Sequence, residues 1–194
     1  MRIAFDVDGV VLSSIDVILG HINELTGSLL TSDELTAWDL DPLGIDEETL
    51  WKAVAHLYSR PRVEPYAGAA DVLTRIHAAL NEPLLFITGR HDPDTARRQL
   101  EALDWPDGIP DMTVTGGDRD KRRYLKEWAV DLIVEDDTEH FGNYRAQGVG
   151  VALMIRPWNR RYSHPVDASF SDWNEVWDWF TGLDRDGRIL VSGR

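Results

Sequence analysis

Along the chain, short apolar runs alternate with stretches in which apolar residues return every three or four positions. The runs at 3–5, 84–87, 112–115, 132–134 and 151–155 predict five strands. Helical periodicity covers about 93–103, 119–128 and 138–147. Strands that alternate with helices imply an α/β fold, a Rossmann-like parallel sheet flanked by helices. Right-handed crossovers reduce the topologies to a few.

The interval from Ser13 to Pro65 breaks this rhythm, because it holds no strand-like run. Ile15, Ile18, Leu19, Ile22 and Leu25 mark one face of a helix that Gly27 can close. Thr31 and Glu34 stand at capping-box spacing, and Asp46 can cap a helix carrying Leu50, Trp51, Val54, Leu57 and Tyr58. The division expected is a core of residues 1–13 and 66–194, with a small helical cap, 14–65, inserted after the first strand. Near the C-terminus, Trp173, Val176, Trp177 and Phe180 share a helical face, capped by Ser171 or Asp172. Residues 185–194 suggest a turn followed by a short strand or a loose tail.

Composition narrows the partners. The 194 residues suffice for one domain with a small insertion, and 43% hydrophobic with 28% charged residues suits a globular protein. No apolar run approaches membrane-spanning length, and Asp6 and Asp8 interrupt the N-terminus too early for a secretory signal. A cytoplasmic location is therefore expected. The absence of cysteine excludes disulfides and thiolate metal sites. A net charge of −14 disfavours anionic membranes and nucleic-acid polymers as partners. Lysine is scarce, with Lys52, Lys121 and Lys126 alone among 20 basic residues, so Lys121 beside a glycine loop draws attention.

The chemistry starts at "FDVDGVV", residues 5–11. Side chains at i and i+2 of an extended segment point the same way, so Asp6 and Asp8 repel each other unless a cation joins them. In an open parallel sheet, ligands bind beyond the carboxyl ends of the strands. The second strand ends in Thr88, Gly89 and Arg90, the third in a glycine loop reaching Lys121, and the fourth in Asp136 and Asp137. Clustered carboxylates, with no cysteine and no histidine pair at ligand spacing, suit a hard cation such as Mg²⁺. A cation, a lysine and helix-start N–H groups together form a receptor for phosphate. One of the first two aspartates can then attack phosphorus while the other moves protons.

Several residues keep a plainer alternative. Asp137 can simply cap the next helix, and Lys121 competes with Arg119, Arg122 and Arg123. Arg90 can reach a substrate or form an exposed ion pair. Trp38 and Trp51, like Tyr58 and Tyr66, can stack on a nucleobase or pack in the core. Arg156, Arg160 and Arg161 are candidates for an anion-attracting rim.

Four stretches, "IAFDVDGVV", "LLFITGR", "DKRRYLKEW" and "LIVEDDTEH", resemble in order the motifs of the haloacid dehalogenase-like phosphohydrolase superfamily. The resemblance spans nearly the whole chain. It implies Asp6 as nucleophile, Asp8 as general acid/base, and Thr88, Gly89 and Lys121 as phosphate ligands. It also implies Mg²⁺ held by Asp6, the Asp8 carbonyl, Asp136 and Asp137. The sequence departs at Val10, where the commoner family pattern has threonine. "DxDGV", the stretch at 36–40, the paired aspartates and "RPWN" at 156–159 are most similar to the 5′(3′)-deoxyribonucleotidase-like branch. The expected protein is thus a Mg²⁺-dependent phosphatase for a small phosphomonoester, with a nucleoside or deoxynucleoside 5′-monophosphate as leading substrate. Trp38, Trp51 and Arg90 are candidate substrate contacts. Alternatives are a phosphatase for a sugar phosphate or another metabolite, one for nucleic-acid 3′ ends, and a binding protein that keeps the fold without turnover.

Overall fold

The computed structural model describes residues 1–37, 40 and 43–183. The strands are β1 (Ile3–Phe5), β2 (Leu84–Thr88), β3 (Met112–Gly116), β4 (Leu132–Glu135), β5 (Gly150–Met154) and β6 (Ala168–Phe170). They form one sheet in the order β3-β2-β1-β4-β5-β6, with every neighbouring pair parallel. β1, β2 and β4 are buried along their whole length, as strands covered on both faces must be.

Alternate residues feed opposite faces. Phe5, Phe86 and Val134 join one apolar cluster with residues of α3 (Ala69–Leu80), α4 (Pro93–Glu101) and α7 (Trp173–Thr181). Ala4, Leu85, Ile133 and Val151 join the other, with Leu125 of α5 (Arg122–Glu127) and Phe141 and Tyr144 of α6 (Phe141–Ala146). The five strands read from apolar runs are present, and Asp172 caps α7 through Asn174 and Glu175 N–H. Two elements escaped that reading. β6 is three residues long with a serine at its centre, and α3 is N-capped by Gly68, which has no side chain to mark the start. The predicted helix over 138–147 is a 3₁₀ turn, Thr138–His140, running into α6. The tail at 185–194 lies outside the described residues.

Between β1 and α3 stand α1 (Ser14–Thr26) and α2 (Glu47–Ser59). Gly27 ends α1 with φ 73°, its N–H on Asn23 O at 2.9 Å. Asp46 caps α2 by accepting Thr49 N–H at 2.9 Å. Thr31 and Glu34 form the capping box, around a single 3₁₀ turn, Ser32–Glu34. Ile15, Leu19, Ile22, Leu35, Leu40 and Ala53 make a third apolar cluster, into which Trp158 inserts from the loop after β5. The two connections to the sheet run side by side: Tyr66 N donates to Val11 O at 2.8 Å and Ser13 N to Glu64 O at 2.9 Å.

Candidate active site

The sheet order reverses direction between β1 and β4, and an α/β sheet opens its ligand crevice at such a reversal. Asp6 follows β1 and Asp136 follows β4. Both are buried there, with Lys121 and Glu135 beside them. Lys121 Nζ donates to Asp6 Oδ1 at 2.5 Å and to Glu135 Oε2. An ammonium has three donors, so one remains. No hydrogen bond among the described residues occupies Asp6 Oδ2.

Glu135 is fully engaged. Its Oε2 holds Lys121, and its Oε1 accepts the N–H groups of Asp136 and Asp137, both at 3.1 Å. Asp136 is only half engaged: Oδ2 accepts Trp158 Nε1–H at 2.8 Å, while Oδ1 is buried without a partner. A buried carboxylate oxygen without a donor is costly. Carboxylate oxygens of Asp6, Glu135 and Asp136 lie within 4.8 Å of one another. Three carboxylates thus face one ammonium. Burial and then the charge of Glu135 push both Asp6 and Asp136 well above the usual carboxylate range, against the pull of Lys121. Burial works against the charge on Lys121, but Asp6 and Glu135 outweigh it and raise its pKa. An all-oxygen donor set with an orphaned, buried carboxylate oxygen fits a hard divalent cation.

Asp8 is balanced differently. Arg90 grips it with a fork, Nε to Oδ2 at 2.8 Å and Nη2 to Oδ1 at 2.6 Å, and Ser14 Oγ also donates to Oδ1. Burial alone would raise Asp8, but the charge and hydrogen bonds of Arg90, with Ser14, hold it below the usual range. Of its two oxygens, Oδ2 carries the single bond and keeps a lone pair free. Arg90 is buried, so its ion pair with Asp8 is not an exposed one, and it lines the cavity above Asp8.

A cavity of about 280 Å³ opens above these groups. Asp6, Asp8, Gly89, Arg90, Lys121 and Asp136 line its floor, and Ile18, Val54, Leu57 and Tyr58 of α1 and α2 line its roof. Thr88 is buried outside the lining set, its Oγ1 accepting Arg90 N–H at 3.2 Å. Asp137 also lines the cavity, but its side chain accepts Glu139 N–H at 3.1 Å and pairs with Arg119 at 2.8 Å. The acidic pair that the fold brings to Asp6 is therefore Glu135 and Asp136. Trp51 is not brought to the cavity: it is 55% exposed on α2, with Nε1 on Glu47. Trp38 lies outside the described residues.

The "RPWN" stretch does work that its sequence did not reveal. Arg156 is buried under Tyr66, 3.6 Å from the ring centre, and donates to Gly9 O at 2.5 Å, so it is no anion-attracting rim. Trp158 fixes Asp136 Oδ2, and Asn159 Nδ2 donates to Asp136 O and Met154 O, both at 2.9 Å. Glu135, Trp158 and Asn159 were missed because each acts through another residue. The one available signal was the polar cluster "RPWN" directly after a buried strand.

No protein-family model matches the chain, and no curated protein sequence matches it. Solved structures do resemble it. A conserved haloacid dehalogenase-like protein of unknown function from Agrobacterium tumefaciens superposes with a TM-score of 0.62 at 15% identity, over 93% of this chain and 97% of that one. A haloacid dehalogenase-like hydrolase from Streptococcus pneumoniae gives 0.61 at 14%, over 92% and 97%. A structure described as a predicted phosphoglycolate phosphatase from Haemophilus somnus gives 0.56 at 13%, over 91% and 96%. The chain has the fold of these haloacid dehalogenase-like hydrolases.

Proposed function

We propose that the protein is a divalent-cation-dependent phosphohydrolase that cleaves a small phosphomonoester through an aspartyl-phosphate on Asp6. The observation that carries this reading is the pairing of an unbonded Asp6 oxygen with the orphaned Asp136 Oδ1, both facing a lysine with one donor to spare. Asp6 Oδ2 attacks phosphorus and the bond to the leaving oxygen breaks. Asp8 Oδ2, ionised in the free protein, takes up a proton as the phosphate dianion enters, delivers it to that oxygen, and then takes one from the water that attacks the aspartyl-phosphate. Phosphate leaves and the Asp6 carboxylate is restored.

Gly89 N–H and the third Lys121 donor hold phosphoryl oxygens, while Thr88 shapes the turn behind them. Asp6 and Asp136 would hold the cation, with Mg²⁺ the simplest choice, and Asp137, at the cavity's edge, would add a further acidic group near it. When bound, the cation supplies positive charge to the phosphoryl oxygens and relieves the crowded carboxylates. α1 and α2 act as a cap whose closure excludes water.

For the substrate, the apolar roof of Ile18, Val54 and Leu57 with the Tyr58 ring suits a leaving group with a flat or apolar face, as in a nucleoside or deoxynucleoside 5′-monophosphate. The neighbour described as a phosphoglycolate phosphatase supports a small metabolite or sugar phosphate equally well. The test is Asp6→Asn. A folded variant without turnover, and without the acid-stable phosphoryl label that wild type acquires from substrate, supports the mechanism. Unchanged turnover sinks it.

A further inference from the structure

Arg90 Nη1, the donor not used on Asp8, donates to Gln99 Oε1 at 2.8 Å. Gln99 comes from α4, is 1% exposed, and turns its carboxamide N–H groups on Leu57 O at 2.8 Å and Arg60 O at 2.9 Å. Those carbonyls end α2. In a continuing helix Leu57 O would accept the N–H of residue 61, but residue 61 is proline and has none. Arg60 N–H turns back on Leu57 O at 3.3 Å, and Gln99 adds a second, shorter bond there from α4. A buried, unbroken chain thus runs from the end of α2 through Gln99 and Arg90 to both oxygens of Asp8. Ser14, the first residue of α1, closes it from the other helix by donating to Asp8 Oδ1.

We infer that Gln99 is a positioning residue which couples docking of the α1–α2 cap to the alignment of Asp8. The inference rests on the functional reading above. When α2 is seated, its end carbonyls orient the Gln99 amide, the amide fixes Arg90, and the Arg90 fork fixes the Asp8 carboxylate with Oδ2 toward the leaving oxygen. When α2 lifts, Gln99 loses its acceptors and Arg90 its fixed partner. Proton delivery is then available only over a closed cavity, which protects the aspartyl-phosphate from premature loss. A carboxylate misplaced by a fraction of an ångström transfers protons poorly, so the chain bears on rate more than on binding.

The test uses Gln99→Met, which keeps length and removes all polar atoms, and Gln99→Glu, which keeps an acceptor for Arg90 and removes the donors to Leu57 and Arg60. Turnover is measured on an alkyl phosphate, whose leaving oxygen needs a proton, and on p-nitrophenyl phosphate, whose leaving oxygen does not. Both variants are expected to lose about tenfold or more in kcat/KM, which reports transfer to Asp6 without the later hydrolysis common to both esters, on the alkyl ester and about twofold or less on the aryl ester. Asp46→Ala, which removes the cap at the far end of α2, is the control: it lowers thermal stability and leaves the ratio of the two rates unchanged. Equal losses on both esters in the Gln99 variants, or an altered ratio in Asp46→Ala, overturn the coupling. Wild-type protein that releases phosphate from neither ester overturns the functional reading instead.

Discussion

At the scale of single residues, Asp136 explains most. Its Oδ1 is buried without a donor, its neighbours are Asp6 and Glu135, and its pKa is raised for that reason. A group whose folded pKa lies above its unfolded value contributes stability below the unfolded value, and loses it as pH rises through the folded value. Asp6 and Asp136 therefore make the cation-free protein less stable as pH rises, while Asp8, held low by Arg90, contributes in the opposite sense and is lost toward acid. Asp136→Asn removes one crowded charge and keeps an oxygen for Trp158. In thermal melts at neutral pH without divalent cation, that variant is expected to melt above wild type, and to lose the upward shift that Mg²⁺ gives the wild-type protein. A variant that melts lower and still responds to Mg²⁺ would contradict the assignment of Asp136 as the cation's ligand.

At the scale of elements, the loop after β1 and the loop after β5 are built around each other. Gly9 has φ +81°, and a Cβ there would collide with the Asp136 carboxylate, while Gly9 O is held by Arg156. The glycine of "DVDG" is thus required by a residue that lies far along the chain. Gly9→Ala is expected to cost about 2–4 kcal/mol in denaturant unfolding and to weaken cation binding with it, since both strain and overpacking act there. Gly142→Ala in α6, where nothing lies within 4 Å, is expected to be neutral or to stabilise by up to about 1 kcal/mol. Near-equal effects would mean that the loop gives way and that Asp136 is not fixed by it. This mutual fit also sets what could be read from sequence. Asp6, Gly89 and Lys121 were legible because each stands at a strand end or helix start that apolar periodicity locates. Glu135, Trp158 and Asn159 were not, because a residue that orients another carries no periodic or motif signal of its own. Trp51 was misread because the apolar stripe of α2 was taken one position too wide; it lies outward, on Glu47.

At the scale of the whole molecule, the parallel sheet gathers distant segments at one crevice, and two helices inserted after the first strand roof it. The roof is tied to the floor by Gln99 on the end of α2, by Ser14 of α1 on Asp8, and by Trp158, whose ring sits in the α1–α2 cluster while its N–H holds Asp136. That the sheet is parallel followed from alternating strands and helices, but its order did not, and these ties depend on side chains meeting across gaps that no local pattern encodes. The central claim is that this crevice hydrolyses phosphomonoesters with a bound divalent cation. The most direct measurement is phosphate release from a panel of ribo- and deoxyribonucleoside monophosphates, sugar phosphates, phosphoglycolate and an aryl phosphate, with Mg²⁺ and with chelator. Release that requires Mg²⁺ is the predicted result, and the ester that leads names the substrate class. Release unaffected by chelator, or none from any ester, would contradict the account.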